Sequence, residues 1–321
     1  MHRRDFIAGI GFAALSAPAL ASHQPAQPPQ PTPRQRSLRK AVGIGMVNDP
    51  AAKTTLDKFQ LLRDCGFEGI EIDWPCETPI DEFASAQEKT GLKIHGIVDS
   101  QHWKHTLNHG SPDVRKKGLD ALIDCLRTSQ KLGAYSVLLV PGVVNSDNSY
   151  EDCWRLSMEQ IKLAIPVARE TGVQIAVENV WNGFLLSPLE AARYVDELNP
   201  RTERVSPIAF HFDIGNIINA GWPHHWVKTL GNRIAKLHIK DFSRKKRDEQ
   251  GLWKGFDVEL GEGDAQWAKV MAALDETGYT KPAPDNNRRD GAQGWATAEV
   301  HGGDRTRLKQ IAAQMDAIFK A

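Results

Sequence analysis

From Leu38 onward the chain alternates between short apolar runs and longer stretches of helical period. The apolar runs cover residues 41–47, 69–74, 92–98, 135–140, 173–178, 208–213, 234–239 and 295–300. Most are short and rich in branched side chains, as strands covered on both faces should be. Between them, apolar positions recur on one face of a helix. Trp154, Met158, Ile161, Ile165 and Ala168 step by 4, 3, 4 and 3, the spacing of a buried helical stripe. Gly66, Gly91, Gly133, Gly172 and Gly231 each stand between a helical stretch and the next apolar run. Glycine there suits the left-handed turn that closes a helix. Asp264 is placed to cap a helix beginning near Ala265. Eight strand–helix units predict an α/β fold, a single-domain (β/α)8 TIM barrel over residues 38–321. The alternative is a doubly wound open sheet, which is weakened by the lack of a GxGxxG or GxxxxGK[ST] turn.

The first residues break this pattern. Arg3 and Arg4 precede an apolar, small-residue run over 6–21 that ends Ala19-Leu20-Ala21. At 16 residues it is short for a membrane span, which takes about 20. A basic head, an apolar run and an A-x-A end predict a signal peptide over 1–21, cleaved before Ser22. Arg-Arg-Asp-Phe-Ile resembles the twin-arginine (Tat) motif, so export to the periplasm through the Tat machinery is expected, with no stable membrane anchor. Residues 22–37 are rich in Pro and Gln and read as a linker.

Composition narrows the partners. Lys plus Arg and Asp plus Glu number 40 each, for a formal net charge of zero, and this speaks against nucleic acid. A mean hydropathy of -0.42 excludes a polytopic membrane protein. Four cysteines, none in a CxxC, are too few for a disulfide framework. The basic run 244–247 is followed at once by Asp248 and Glu249 and reads as a solvated loop.

In a barrel, catalytic groups come from the C-terminal ends of strands. Glu178, Asp213, His238 and Glu299 stand at or near the ends of four consecutive strand candidates. A charged residue closing an apolar run is costly unless it is paired or bound to a metal. Taken singly, each is accounted for by a salt bridge. Four in register favour a metal site. Three carboxylates and one imidazole suit one divalent cation, Mn²⁺, Mg²⁺, Co²⁺ or Zn²⁺.

The blocks AVENVWNGFLLSP, FHFDIGN, HIKDF, LGEGDAQW and ATAEVHGGD, in this order, resemble the sugar phosphate isomerase/epimerase family of the xylose isomerase-like TIM barrel superfamily. That superfamily includes ketose 3-epimerases, hydroxypyruvate isomerases, inosose dehydratases and the endonuclease IV type of DNA repair enzyme. The resemblance implies that Glu178, Asp213, His238 and Glu299 are the metal ligands. It also implies that Glu178 and Glu299 are the acid/base pair beside a sugar carbonyl. A divalent ion at the carbonyl and the adjacent hydroxyl would stabilise an enediolate as charge develops. Proton return on the opposite face epimerises the carbon, and return to the neighbouring carbon isomerises aldose and ketose.

Candidate substrate contacts are Asn179, Asn182, Asn216, Lys240, Arg244, Glu262 and His102. Asn182 can equally shape its loop, and Lys240 can equally pair with Asp241. The ketose 3-epimerases carry histidine at the position of Asn216. His95 reads as packed interior, and Trp74, Trp103 and Trp181 as wall. Residues 280–294 read as an insertion before the last strand, on the rim opposite the site. The leading function is a metal-dependent sugar isomerase or epimerase acting on a small sugar or keto-sugar. Alternatives are dehydration of the inosose dehydratase kind, hydroxypyruvate isomerase-like activity, and a non-catalytic sugar-binding protein. A metal phosphodiesterase would need a basic groove. Export favours a free sugar over a sugar phosphate.

Overall fold

The computed structural model describes residues 36–199, 206–281 and 294–321. Within them the apolar runs form eight strands. They are β1 (Arg39–Gly43), β2 (Gly69–Trp74), β3 (Lys93–Asp99), β4 (Ser136–Leu139), β5 (Gln174–Glu178), β6 (Ile208–Asp213), β7 (Ile234–Ile239) and β8 (Trp295–Ala298). Each pairs in parallel with its sequence neighbour, and β1 pairs with β8 to close the barrel. Helices connect the strands and cover the outside. The expected (β/α)8 barrel, as one domain, is the observed fold.

The helix Tyr150–Thr171 shows how local sequence builds the outer layer. Ser149 caps it by accepting the Asp152 N–H. Met158, Ile161, Ile165 and Ala168 are buried along the predicted stripe. Gly172 closes it at φ 62°, a left-handed conformation that a side chain would disfavour.

Several boundaries move. The first strand begins earlier than predicted and stops at Gly43, because Ile44–Met46 coils into a 3-10 turn. The last strand stops at Ala298, although the Glu299 N–H still donates to the Ile239 carbonyl at 3.1 Å. Asp264 is not a helix cap. The helix Trp267–Glu276 starts later, from Gln266 at φ 57°, and the Asp264 carboxylate instead accepts the Arg244 N–H at 2.7 Å. Of the predicted linker only Arg36 and Ser37 are described, and both are tied to the barrel. Arg36 pairs with Asp275 at 2.9 Å, and the Ser37 N–H donates to the Thr280 carbonyl at 2.8 Å. The signal-peptide assignment, the rest of the linker and residues 282–293 of the insertion lie outside the described residues.

The barrel interior departs from the usual branched aliphatic filling. His238 on β7 contacts Glu71 on β2. Lys236 on β7 bonds His95 on β3, and Thr297 on β8 also bonds His95. These strands are not neighbours, so the contacts cross the barrel. Below them Trp295 stacks on His95 with centroids 4.3 Å apart. Gly69 faces that stack, where a Cβ would lie 2.3 Å from the Trp295 ring, so only glycine fits. Among the described residues no helix is long and apolar enough to cross a membrane.

Candidate metal centre and active site

The strand ends bring Glu178, Asp213, His238 and Glu299 together. One donor atom from each lies within 4.8 Å of all the others. The backbone register accounts for this, since Glu178 pairs with His211 and Asp213 with His238 across adjacent strands. His238 Nδ1 faces the carboxylates at 2.8 Å from Glu178 Oε1, 3.1 Å from Glu299 Oε2 and 3.9 Å from Asp213 Oδ2. Lys240 Nζ lies 3.0 Å from Asp213 Oδ2 and 2.7 Å from Glu299 Oε2.

The electrostatics are lopsided. Three carboxylates face one imidazole and one ammonium. Burial raises the Glu178 carboxyl, with His238 opposing. Burial pushes Asp213 up to about 7, since Lys240 only partly offsets it and Glu299 and Glu178 add to it. Burial disfavours the His238 cation, yet Glu299 and Glu178 hold it well above its ordinary value. Desolvation also opposes ionised Glu299, but His238 and Lys240 keep it well below the usual carboxylate range.

The donor set fits a divalent cation. Asp213 Oδ2 is fully buried and makes no hydrogen bond, although the Lys240 ammonium is close. A buried carboxylate oxygen left in this state beside two further carboxylates is costly. Hard oxygens and one imidazole are donors that suit such an ion.

The remaining candidates divide. Lys240 and Asn216 line a cavity of about 450 Å³ at the mouth of the cluster, together with Glu299. Its wall is aromatic: Trp103, Trp181, Trp253 and Phe256. Trp103 and Trp181 therefore are wall, as the sequence reading had them, whereas the Trp74 indole N–H donates to Asp124 at 2.6 Å. Asn179 is committed to the backbone. Its amide gives to the Asp213 carbonyl at 2.7 Å and takes the Asp213 N–H at 2.9 Å. Asn216 donates to the Asn179 carbonyl at 3.0 Å, and its N–H is held by Asp213 Oδ1 at 2.8 Å. Both asparagines thus fix the end of β6.

Arg244 and Glu262 are placed differently from the substrate contacts expected of them, while Asn182 takes the loop-shaping role the sequence equally allowed. Asn182 shapes its loop, donating to the Gly142 carbonyl and accepting the Phe184 N–H. Arg244 spends its guanidinium on the carbonyls of Ile218 and Gly221 and covers the Trp222 ring. Glu262 is exposed and lies in a neighbouring depression with Lys246, Glu259 and Arg307. His102 is buried, and its Nδ1 accepts the Val140 N–H at 3.3 Å. Burial lowers it to about 4, so it is neutral, and its ring meets the edge of Trp103. A larger depression of about 910 Å³ is lined by Gln174, Arg193, Asp196, Asn199 and Arg233 and contains none of the four clustered residues.

The sequence reading missed a second layer below the cluster. Glu71, His211 and His238 also bring donor atoms within 4.8 Å of one another. The His211 and His238 rings are 4.1 Å apart, and neither His211 nitrogen has a hydrogen-bond partner. Strand alternation carried the signal. Glu71, His211 and Lys236 each stand two residues before an inward or rim residue, as Lys236 does before His238. Trp253 and Phe256 were missed because they come from the 3-10 segment Leu252–Phe256, in a loop with no periodic pattern.

A closed parallel barrel with an acid-rich cluster on the C-terminal rim of β5 to β8 defines the class of protein. The chain belongs to the xylose isomerase-like TIM barrel family, which it matches over residues 59–318. It is similar to the 2-oxo-tetronate isomerase of Haemophilus influenzae, 24% identical over 239 residues, covering 70% of this chain and 84% of that one. Among solved structures it resembles a D-tagatose 3-epimerase-like protein, with TM-score 0.68, 18% identity and coverage of 88% of this chain and 98% of that one. It also resembles the IOLI protein with a binding zinc atom, with TM-score 0.65, 15% identity and coverage of 88% and 98%.

Proposed function

We propose that this chain is a divalent-cation-dependent sugar isomerase or epimerase. The observation that carries the reading is the rim cluster, whose four donors lie within 4.8 Å of one another and set three carboxylates against one imidazole and one ammonium. Glu178, Asp213, His238 and Glu299 would hold the cation. When bound, it supplies positive charge where negative charge develops on a substrate carbonyl oxygen. A zinc atom in one structural neighbour and isomerase or epimerase names on the others support this reading.

Glu178 and Glu299 are the proposed proton carriers. They differ in a way that suits two roles. Glu178 is buried, with its carboxyl raised, whereas the Glu299 side chain is 47% exposed and its carboxyl is lowered. Opposed environments of this kind separate an acid from a base. Lys240 orients Glu299 through their 2.7 Å pair. The aromatic wall excludes water from one side of the cavity and offers flat faces to a sugar ring.

The substrate is proposed to be a free sugar or keto-sugar rather than a phosphate ester. Lys240 is neutralised by Asp213 and Glu299, and the Arg244 guanidinium is committed to backbone carbonyls. Neither cation is left to hold a phosphate. The expected Tat export to the periplasm is part of the same proposal, because sugar phosphates are mainly cytoplasmic. N-terminal sequencing of the exported protein is expected to begin at Ser22, and a start at Met1 would overturn cleavage.

The test is solvent exchange. Cation-loaded protein is incubated in D2O with free ketoses, keto-glycosides and sugar phosphates. Deuterium is expected at the carbon beside the carbonyl of a free sugar. Exchange confined to phosphate esters would overturn the substrate class, and no exchange in any of them would overturn the reaction.

A further inference from the structure

We infer that Glu71 is a positioning residue for the rim cluster, which it serves by fixing which nitrogen of His238 is free to bind a cation. The inference rests on the proposed cation site. The two ring nitrogens of a histidine are distinct, and the partner of one decides the state of the other. Here Nε2 lies 3.0 Å from Glu71 Oε2, while Nδ1 points the opposite way at Glu178 and Glu299. An ionised carboxylate can only accept, so Nε2 carries a proton. Without a cation Nδ1 also donates, to the rim carboxylates. A cation bound there would replace the Nδ1 proton, while the Nε2 proton stays directed at Glu71.

Two further features hold this arrangement. Glu71 is 3% exposed, and the His211 ring packs 4.1 Å from His238, which limits rotation of its imidazole. Pairing of β2 with β3 shifts register between Ile70 and Glu71, and pairing of β6 with β7 shifts between Phe210 and His211. Such irregularities re-aim side chains, and here they fall at two of the residues that touch the His238 ring, Glu71 and His211. An acid behind a ligating histidine fixes its tautomer and raises its basicity, and losing it weakens cation binding by about 10- to 100-fold.

The test compares wild type with Glu71→Gln by chelator competition for Mn²⁺ and Zn²⁺, with cation content measured on the purified protein. Cation affinity is expected to fall by about 10- to 100-fold. A folded variant that binds within twofold of wild type would overturn the inference. A packing role alone would alter stability without touching ring protonation, so a ¹⁵N spectrum of wild type forms the second arm. With His238→Gln used for assignment, a His238 proton is expected on Nε2 in both the Zn²⁺-loaded and the cation-free protein. A bare Nε2 in either state would overturn the inference even if Glu71→Gln does not fold. Two cations per chain, with the second lost in His211→Ala, would also overturn it, because Glu71 would then be a ligand. Failure of the underlying site looks different: Glu178→Gln and His238→Ala would keep full cation content.

Discussion

Two polar layers lie inside this barrel, one above the other, and they are built differently. The lower layer, around Glu71, His95 and Lys236, packs on Trp295 and is sealed from solvent, with the two nitrogens of the adjacent His211 left without hydrogen-bond partners. Lys236 bonds both the Nδ1 and the carbonyl of His95, and the nearby Glu71 carboxylate is countered by imidazoles. The upper layer, around Asp213 and Glu299, opens to a cavity and carries more negative than positive groups. Both put charge where a barrel normally puts aliphatic side chains. Only the upper one sets three carboxylates against a single imidazole and a single ammonium beside an open cavity. Buried charge alone therefore does not mark a site. Imbalance beside an opening does, and His238 belongs to both layers through its two nitrogens.

The comparison breaks first in the upper layer. Glu178→Gln is expected to lower the D2O exchange rate by about 10²- to 10⁴-fold while leaving the fold intact. If exchange stays within tenfold and the unfolding temperature drops instead, the upper layer is structural and the contrast is lost. Removing a like charge from a crowded cluster should leave stability unchanged or raised.

The lower layer is tested by pH. Burial lowers Lys236 to about 7 from an ordinary value near 10.5. Between those values the unfolded chain binds the proton and the folded chain does not. Stability from this residue therefore rises with pH across about 7 to 10.5, by about 1.4 kcal/mol per unit, and that gain is absent below 7. The stability of wild type minus that of Lys236→Met, read by denaturant unfolding at several pH values, should rise with pH across this window. A pH-independent difference would place Lys236 in a wetter setting than the one described.

The smallest effect is at the mouth. Trp253 is 69% exposed and tilts against Trp181 with centroids 4.9 Å apart. Trp253→Ala should raise KM by roughly fivefold, about 1 kcal/mol of lost stacking, with kcat and stability nearly unchanged. A fall in kcat with constant KM would move this residue from the wall into the chemistry.

The outline of the barrel was legible because strands covered on both faces write themselves as apolar runs, as in IAFHF and IAKLHI. The four rim residues were legible for a related reason, since an acid or imidazole at the end of such a run has no neutral explanation when it recurs. Glu71 and Lys236 were not, because their partners sit on strands that are distant in sequence and not adjacent in the sheet. Asn179 and Asn182 looked like sugar contacts because an amide beside a catalytic acid is ambiguous until its partners are seen. Both turn out to serve the backbone, and so does Arg244. Asp264 misled through its helix-cap spacing, which the nearby Arg244 N–H claimed instead.

The aromatic wall has an optical consequence. Of the nine tryptophans in the chain, Trp103, Trp181 and Trp253 line a cavity that opens on the rim cluster. A sugar entering there displaces water from indole faces, whereas the Trp295 indole stays sealed beneath the barrel floor. The protein thus carries a built-in emission reporter for ligand screening, with its own buried reference, and needs no added dye.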